Sequence, residues 1–135
     1  MNLVSYQAQM QNQKNLGKRI LLVDDEPSVS KAIKMLLEYD GFTVQTAENG
    51  EAALALFERD QFDLVITDFS MQGMTGGQLA GRIKKVRPNQ LIILATASIY
   101  KLEAANHPGR IVDYVLDKPF GLRELREAIA SICPP

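Results

Sequence analysis

Acids, a hydroxyl and an ammonium stand at four places where short apolar runs end: Asp24-Asp25, followed by Glu26, then Asp68, Thr96 and Lys118. Two or three carboxylates gathered within a few ångströms repel one another and hold their protons more tightly unless a positive charge sits among them. A divalent cation relieves that repulsion. An all-oxygen set with room for water suits Mg²⁺, which takes one or two carboxylates and completes its octahedron with waters and phosphoryl oxygens. In such a site one carboxylate can act as a nucleophile toward phosphorus, with the cation and Lys118 neutralising charge on the equatorial oxygens and Thr96 donating a hydrogen bond to one of them. The product is an aspartyl phosphate, and Asp68 is the candidate acceptor. Each residue also has a plainer reading. Asp25 or Glu26 can cap the helix that begins at Pro27, Asp68 can be a turn residue, Thr96 a loop hydroxyl and Lys118 a solvated charge. The functional reading rests on their convergence at one place.

Convergence requires elements that bring the four places together. From Lys18 onward, apolar runs of strand length alternate five times with amphipathic stretches of helix length. The spacing predicts strands over 19–23, 42–46, 62–67, 90–95 and 111–116, and helices over 27–39, 51–59, 77–86, 99–105 and 122–132. Val29, Ile33, Leu36 and Leu37 keep helical spacing, as do Leu122, Leu125, Ile129 and Ile132. Gly41 ends the first helix, Asn49 and Ser98 cap the second and fourth, and Pro108-Gly109 stops the fourth. Strict alternation in so short a chain implies an α/β fold, a five-stranded parallel sheet with helices on both faces. Four strands are near-continuous apolar runs, whereas Phe42-Thr43-Val44-Gln45-Thr46 alternates like an edge strand. In a (βα)5 layer of this kind the functional rim is the carboxyl end of the strands, where all four places fall.

The chain's 135 residues, 46% of them hydrophobic, suffice for one domain with a single well-buried core. Fifteen basic against 16 acidic residues give a net charge of -1 and no global attraction to nucleic acid or anionic membrane. Residues 1–7 lack the basic start and apolar core expected of a signal peptide, apolar stretches such as Leu91 to Ala95 are too short to span a bilayer, and one cysteine, Cys133, can form no internal disulfide. A cytoplasmic protein is expected. Residues 1–17, rich in Gln and Asn, are expected to be a flexible N-terminal tail or linker, although Leu3, Tyr6 and Met10 could line one face of a short docking helix. His107 is the one histidine and is expected in a loop. The run Gly73-Met74-Thr75-Gly76-Gly77 matches neither phosphate-binding glycine fingerprint and is expected only to permit a turn.

In its acidic pair Asp24-Asp25, isolated Asp68, Thr96 followed by small Ala97, and Lys118-Pro119-Phe120, in that order and spacing, the chain resembles the receiver domain of two-component response regulators. The resemblance covers Lys18 to about Ile132. It implies a doubly wound, flavodoxin-like three-layer sandwich over residues 18–135. It also implies that Asp68 accepts a phosphoryl group from a histidine kinase or histidine phosphotransfer protein. Asp25 and Asp68 would ligate Mg²⁺ directly, Asp24 would assist through water, and the backbone carbonyl of Ser70 would add a ligand. No cofactor besides Mg²⁺ is implied. The Lys118-Pro119 bond is expected to be cis. Such a domain is no enzyme on other molecules: it catalyses only its own phosphorylation and dephosphorylation. It then changes a surface formed by the fourth helix, fifth strand and fifth helix of the repeat, to which an effector or dimer partner binds.

Three departures from the family pattern leave the phosphorylation chemistry untouched; the first bears on the loop after Asp68 and the last two on signal output. Met71 is followed by Gln72 instead of proline. His107-Pro108-Gly109-Arg110 replaces the usual Gly-Ala lead into the last strand. Val115 holds the position, three before the lysine, that is often aromatic, while Tyr114 is out of phase. Two rival functions fit these residues less well. A metabolite phosphatase of the haloacid-dehalogenase type carries a D-x-D nucleophile on its first strand, whereas here Asp24 and Asp25 are adjacent. A phosphate-independent interaction module would lack one of Asp25, Asp68, Thr96 or Lys118, and none is missing.

Overall fold

The computed structural model describes residues 2–97 and 111–133. In chain order it contains α1 (Leu3–Asn15), β1 (Arg19–Val23), α2 (Pro27–Tyr39), β2 (Thr43–Ala47), α3 (Gly50–Arg59), β3 (Leu64–Asp68), α4 (Gly76–Val86), β4 (Leu91–Thr96), β5 (Tyr114–Asp117) and α5 (Leu122–Ile132). The five strands form one parallel sheet in the order β2-β1-β3-β4-β5. The reversal of strand order beside β1 leaves a crevice between the carboxyl ends of β1 and β3, where ligands of doubly wound sheets bind.

Period-two alternation divides the core into two layers. Ile20, Leu22, Leu64, Ile66, Ile93 and Leu116 face α2 and α5, where they meet Leu37, Leu125 and Ile129. Leu21, Val23, Val65 and Ile92 face the other way, onto Phe57 of α3 and Leu79 and Ile83 of α4. β3 is buried along its whole length, as a central strand covered on both faces must be. β2 lies at the edge, with Val44 and Ala47 buried and Thr43 and Thr46 exposed.

Helix ends follow local chemistry. Asn49 accepts the N–H of Ala52 at 2.7 Å and caps α3. Gly41, at φ 103°, takes the left-handed conformation that closes α2. Strands β2 to β5 begin one to three residues later than their apolar runs, and β2 to β5 also extend one residue past the expected ends. The helix expected over 99–105, its cap Ser98, His107 and the Pro108-Gly109 stop lie outside the described residues.

The N-terminal stretch is helical from Leu3 to Asn15, the short helix that its sequence left open. Asn2 accepts the N–H of Ser5 at 2.8 Å and starts the helix, and the Gln, Ala, Met and Leu content favours its continuation. Asn15, at the other end, is buried and donates its side-chain amide to the carbonyl oxygen of Asp40 at 2.7 Å.

Candidate functional site

Each acid reaches the rim by a separate local route. β1 ends at Val23, but the N–H of Asp24 bonds to the carbonyl of Ala47 at 3.1 Å, carrying the ladder one residue further. That extension buries Asp24, whose carboxylate accepts the N–H of Glu26 at 2.8 Å and closes a tight turn into α2. Asp25 is turned outward and exposed. Glu26 occupies the N-cap position of α2 without a side-chain capping bond, so the helix-cap reading of Asp25 and Glu26 does not account for these acids. Asp68 is the last residue of β3 and is 8% exposed.

The three carboxylates meet: one oxygen from each of Asp24, Asp25 and Asp68 lies within 4.8 Å of the others. Lys118, one residue beyond β5, places its ammonium 2.9 Å from the Asp68 carboxylate. Its N–H donates to the carbonyl oxygen of Thr96 at 2.8 Å, which ties the end of β5 to the end of β4. Thr96 is buried at that strand end, in the residue after Ala95, the register partner of Asp68. The Lys118-Pro119 peptide bond is cis, as expected. Ser70 stands exposed two residues past Asp68.

The electrostatics match a crowded acidic cluster. Burial pushes the Asp24 carboxyl above its ordinary range, and repulsion from Asp68 and Asp25 pushes in the same direction. The Glu26 N–H and the Lys118 charge pull it back. A donor set made of carboxylate oxygens, partly desolvated and short of positive charge, fits a hard divalent cation such as Mg²⁺.

Two open cavities flank the cluster. One, of about 560 Å³, runs from Asp24, Asp68 and Lys118 along an apolar wall of Val29, Ile33 and Phe120. The other, of about 720 Å³, is polar and is lined by Asp25, Glu48, Glu51 and Gln72. Asp68 is therefore reachable from the side of α2.

Sequence reasoning missed the part played by the glycine run. Thr75 accepts the N–H of Gln78 at 3.2 Å while Gln78 accepts the N–H of Thr75 at 3.0 Å, a capping box that starts α4. The Thr75-x-x-Gln78 pattern was the available signal. Gly76 lies against the backbone of Asp68, where a Cβ would collide with the Asp68 carbonyl oxygen and with Leu94. Gly76 donates its N–H to the carbonyl of Phe69 at 2.8 Å, so the helix start braces the residue that follows the central acid.

A doubly wound parallel sheet carrying three carboxylates and a lysine at its switch point defines a class of metal-assisted phosphoryl-handling α/β proteins. The chain belongs to the response regulator receiver domain family, whose family model matches residues 20–130. It is 40% identical over 112 residues to the transcriptional regulatory protein GlrR of Escherichia coli, covering 82% of this chain and 25% of that protein. It is 37% identical over 128 residues to the virulence sensor protein BvgS of Bordetella pertussis, covering 87% of this chain and 10% of that one. The chain thus spans a quarter or less of these two relatives. Among solved structures, the response regulator TrrA of Thermotoga maritima in complex with Mg²⁺-BeF superposes with a TM-score of 0.77 at 38% identity, covering 84% of this chain and 97% of that one. TrrA in complex with the histidine kinase ThkA superposes with a TM-score of 0.76 at 39% identity, with the same shares covered.

Proposed function

We propose that residues 18–135 form a phosphorylation-controlled switch in which Asp68 accepts a phosphoryl group from a phosphohistidine of a histidine kinase or phosphotransfer protein. The observation that carries this reading is the Asp68 carboxylate, 2.9 Å from the Lys118 ammonium and within 4.8 Å of the Asp24 and Asp25 oxygens. A carboxylate oxygen of Asp68 forms the new O–P bond as the N–P bond of the donor breaks, its electron pair staying on the imidazole nitrogen. Asp25, Asp68 and the Ser70 carbonyl would hold Mg²⁺, with Asp24 acting through water; the bound ion supplies charge neutralisation at the phosphoryl oxygens. Lys118 exchanges its pairing with Asp68 for a phosphoryl oxygen, and Thr96 donates to another. Asp24 keeps its side chain in place through the Glu26 N–H.

The chain carries out this transfer, and the later loss of phosphate, upon itself only. TrrA, a relative at 39% identity, was solved bound to a histidine kinase, and the 560 Å³ cavity beside Asp68 leaves that carboxylate open to a donor. The output passes to an effector or dimer partner through the fourth and fifth helices of the repeat and β5, without direct nucleic-acid or membrane contact. Among the described residues no helix is long and apolar enough to cross a membrane.

Intact-mass measurement with acetyl phosphate and Mg²⁺ tests the assignment. One added phosphate is expected, lost in Asp68→Asn and suppressed by EDTA. Undiminished labelling of Asp68→Asn would overturn it.

A further inference from the structure

On the proposed role of the Ser70 carbonyl as a Mg²⁺ ligand, we further propose that Gly50 and Met74 are positioning residues for the cation site: Met74 seats on the bare Cα of Gly50, and that contact between α3 and the loop after β3 fixes where the Ser70 carbonyl stands. A ligand atom holds an ion well only when the groups behind it are already in place. Asp68 has that support from β3, buried along its length. The Ser70 carbonyl has none from the backbone: among the described residues, no backbone–backbone hydrogen bond holds residues 70–74. The Phe69 N–H on the Ala95 carbonyl, at 2.8 Å, is the last rung before the loop, and the Gly76 N–H returns to the Phe69 carbonyl at 2.8 Å. Between them Ser70, Gln72 and Gly73 are exposed, and Gly73, at φ 79°, turns in open space. Gln72 adds no fixed torsion of the kind proline gives. Side-chain packing therefore sets the loop, through Met71, buried in the layer of α3 and α4, and Met74, half-buried at its edge.

The Met74 anchor leaves no room for a side chain opposite it. A Cβ on Gly50 would fall 2.9 Å from the Met74 Cβ and 3.1 Å from its Cγ, and nearer still to its sulfur. Gly50 opens α3 with no left-handed torsion, so the position needs a bare Cα for space and not for conformation. Its backbone is held, since the preceding Asn49 caps the helix through the Ala52 N–H at 2.7 Å. The methionine sulfur can swing aside from an intruding methyl group. The Met74 Cβ cannot, because it moves only with its backbone. Any side chain at position 50 thus displaces residue 74 and the loop behind it.

The same contact shapes the polar side of the site. Gln72, Gly73 and Met74 line the cavity of about 720 Å³ together with Gly50, Asp25 and Glu48. Asp25 therefore shares a cavity with the loop that carries the Ser70 carbonyl. Drawing Met74 onto α3 sets the gap between these two ligands, without Met74 itself reaching the cation.

Calorimetric Mg²⁺ titrations of the whole 135-residue chain test the brace with Gly50→Ala, Met74→Ala and the double variant, each checked for folding by urea titration. Each single variant should weaken Mg²⁺ binding about tenfold, as loss of support behind a metal ligand does. The double variant should weaken it by less than the product of the two, because both act on one contact. The Met71 N–H belongs to the same peptide unit as the Ser70 carbonyl, so its NMR signal should shift with saturating Mg²⁺ in the parent and shift less in Met74→Ala. Arg126→Leu, which loosens the fold at the far end of α2, should leave Mg²⁺ affinity unchanged. Parent-like affinity in both folded single variants overturns the proposal. So do single effects that simply multiply in the double variant, or an equal loss in Arg126→Leu, which would trace the weakening to general stability. If Gly50→Ala does not fold, Met74→Ala decides alone. A parent that binds no Mg²⁺ overturns the proposed function and the brace with it, an outcome distinct from any difference between parent and variants.

Discussion

At the scale of single residues, Asp24 shows how the acidic cluster is balanced. Its folded carboxyl holds a proton to higher pH than an unfolded one, so the unfolded state is the more ionised. The stability Asp24 contributes is therefore fully present below the ordinary aspartate pKa of about 3.9 and is lost as pH rises through the raised folded value. Asn keeps an acceptor for the Glu26 N–H and removes the charge. In EDTA, Asp24→Asn should be at least as stable as the parent at neutral pH, and the fall in stability across that window should shrink; urea titrations over a pH series measure both. The same variant, like Asp25→Asn, should bind Mg²⁺ more weakly by calorimetry. A marked loss of metal-free stability in both would mean that these carboxylates serve the α2 turn instead of a cation. Cys133 needs no role in this chemistry: burial pushes its thiol above the ordinary value, nearby Lys18 draws it back and Asp63 adds to the rise.

Elements decide how the site is braced and how its state is passed on. The start of α4 presses on the backbone of Asp68 through Gly76, with no space for a side chain. Gly76→Ala should cost about 1–3 kcal/mol in a urea titration, as overpacking of a tight interior does, and should slow labelling of Asp68 by acetyl phosphate. Parent-like stability would show that the helix can back away freely. On β5, Tyr114 packs with Leu116 on the α5 side of the sheet, while Val115 joins Phe69, Leu94 and Val112 on the other. Phe69 directly follows Asp68, so Val115 sits in the cluster next to that carboxylate. Valine has one side-chain torsion and no ring to rotate. Activation is therefore expected to act through residues 96–101, of which 98–101 lie outside the described residues, and to leave the Tyr114 ring where it is. NMR spectra with and without beryllofluoride distinguish the cases: large Tyr114 ring shifts with a quiet 96–101 segment would contradict this.

For the whole molecule, Asp40 is the residue where distant parts of the chain are tied. Its carboxylate takes a two-pronged contact from Arg126 of α5, and its carbonyl takes the Asn15 amide of α1. Arg126 is 47% exposed and Asp40 only 10% by side chain, so the pair is screened from one side and its value is that of charged hydrogen bonds at a partly wet site. Arg126→Leu leaves the Asp40 carboxylate in place without its fork, at a cost of about 1–2 kcal/mol. Hydrogen exchange over residues 3–15 should quicken in Asn15→Ala, which removes the side-chain amide that holds the Asp40 carbonyl. Unchanged exchange would place its support elsewhere.

The alternation of apolar runs and amphipathic stretches was enough to determine the parallel α/β sheet, the edge position of β2 and the convergence of Asp24, Asp25, Asp68 and Lys118, because hydrophobic period and strand ends are written locally. The caps at Asn49 and Gly41 were legible for the same reason. Gly76 was not, because its need for a bare Cα comes from a carbonyl eight residues away that only folding brings against it. Nor could sequence rank the two neighbouring acids: Asp24 is buried and Asp25 exposed because β1 pairs one step further with β2, a register set by the sheet. α1 shows the same division from the other side. Its composition permitted a helix or a tail, and the place where it leaves the domain was decided by one amide and a carbonyl at the end of α2, a contact that exists only in the tertiary structure.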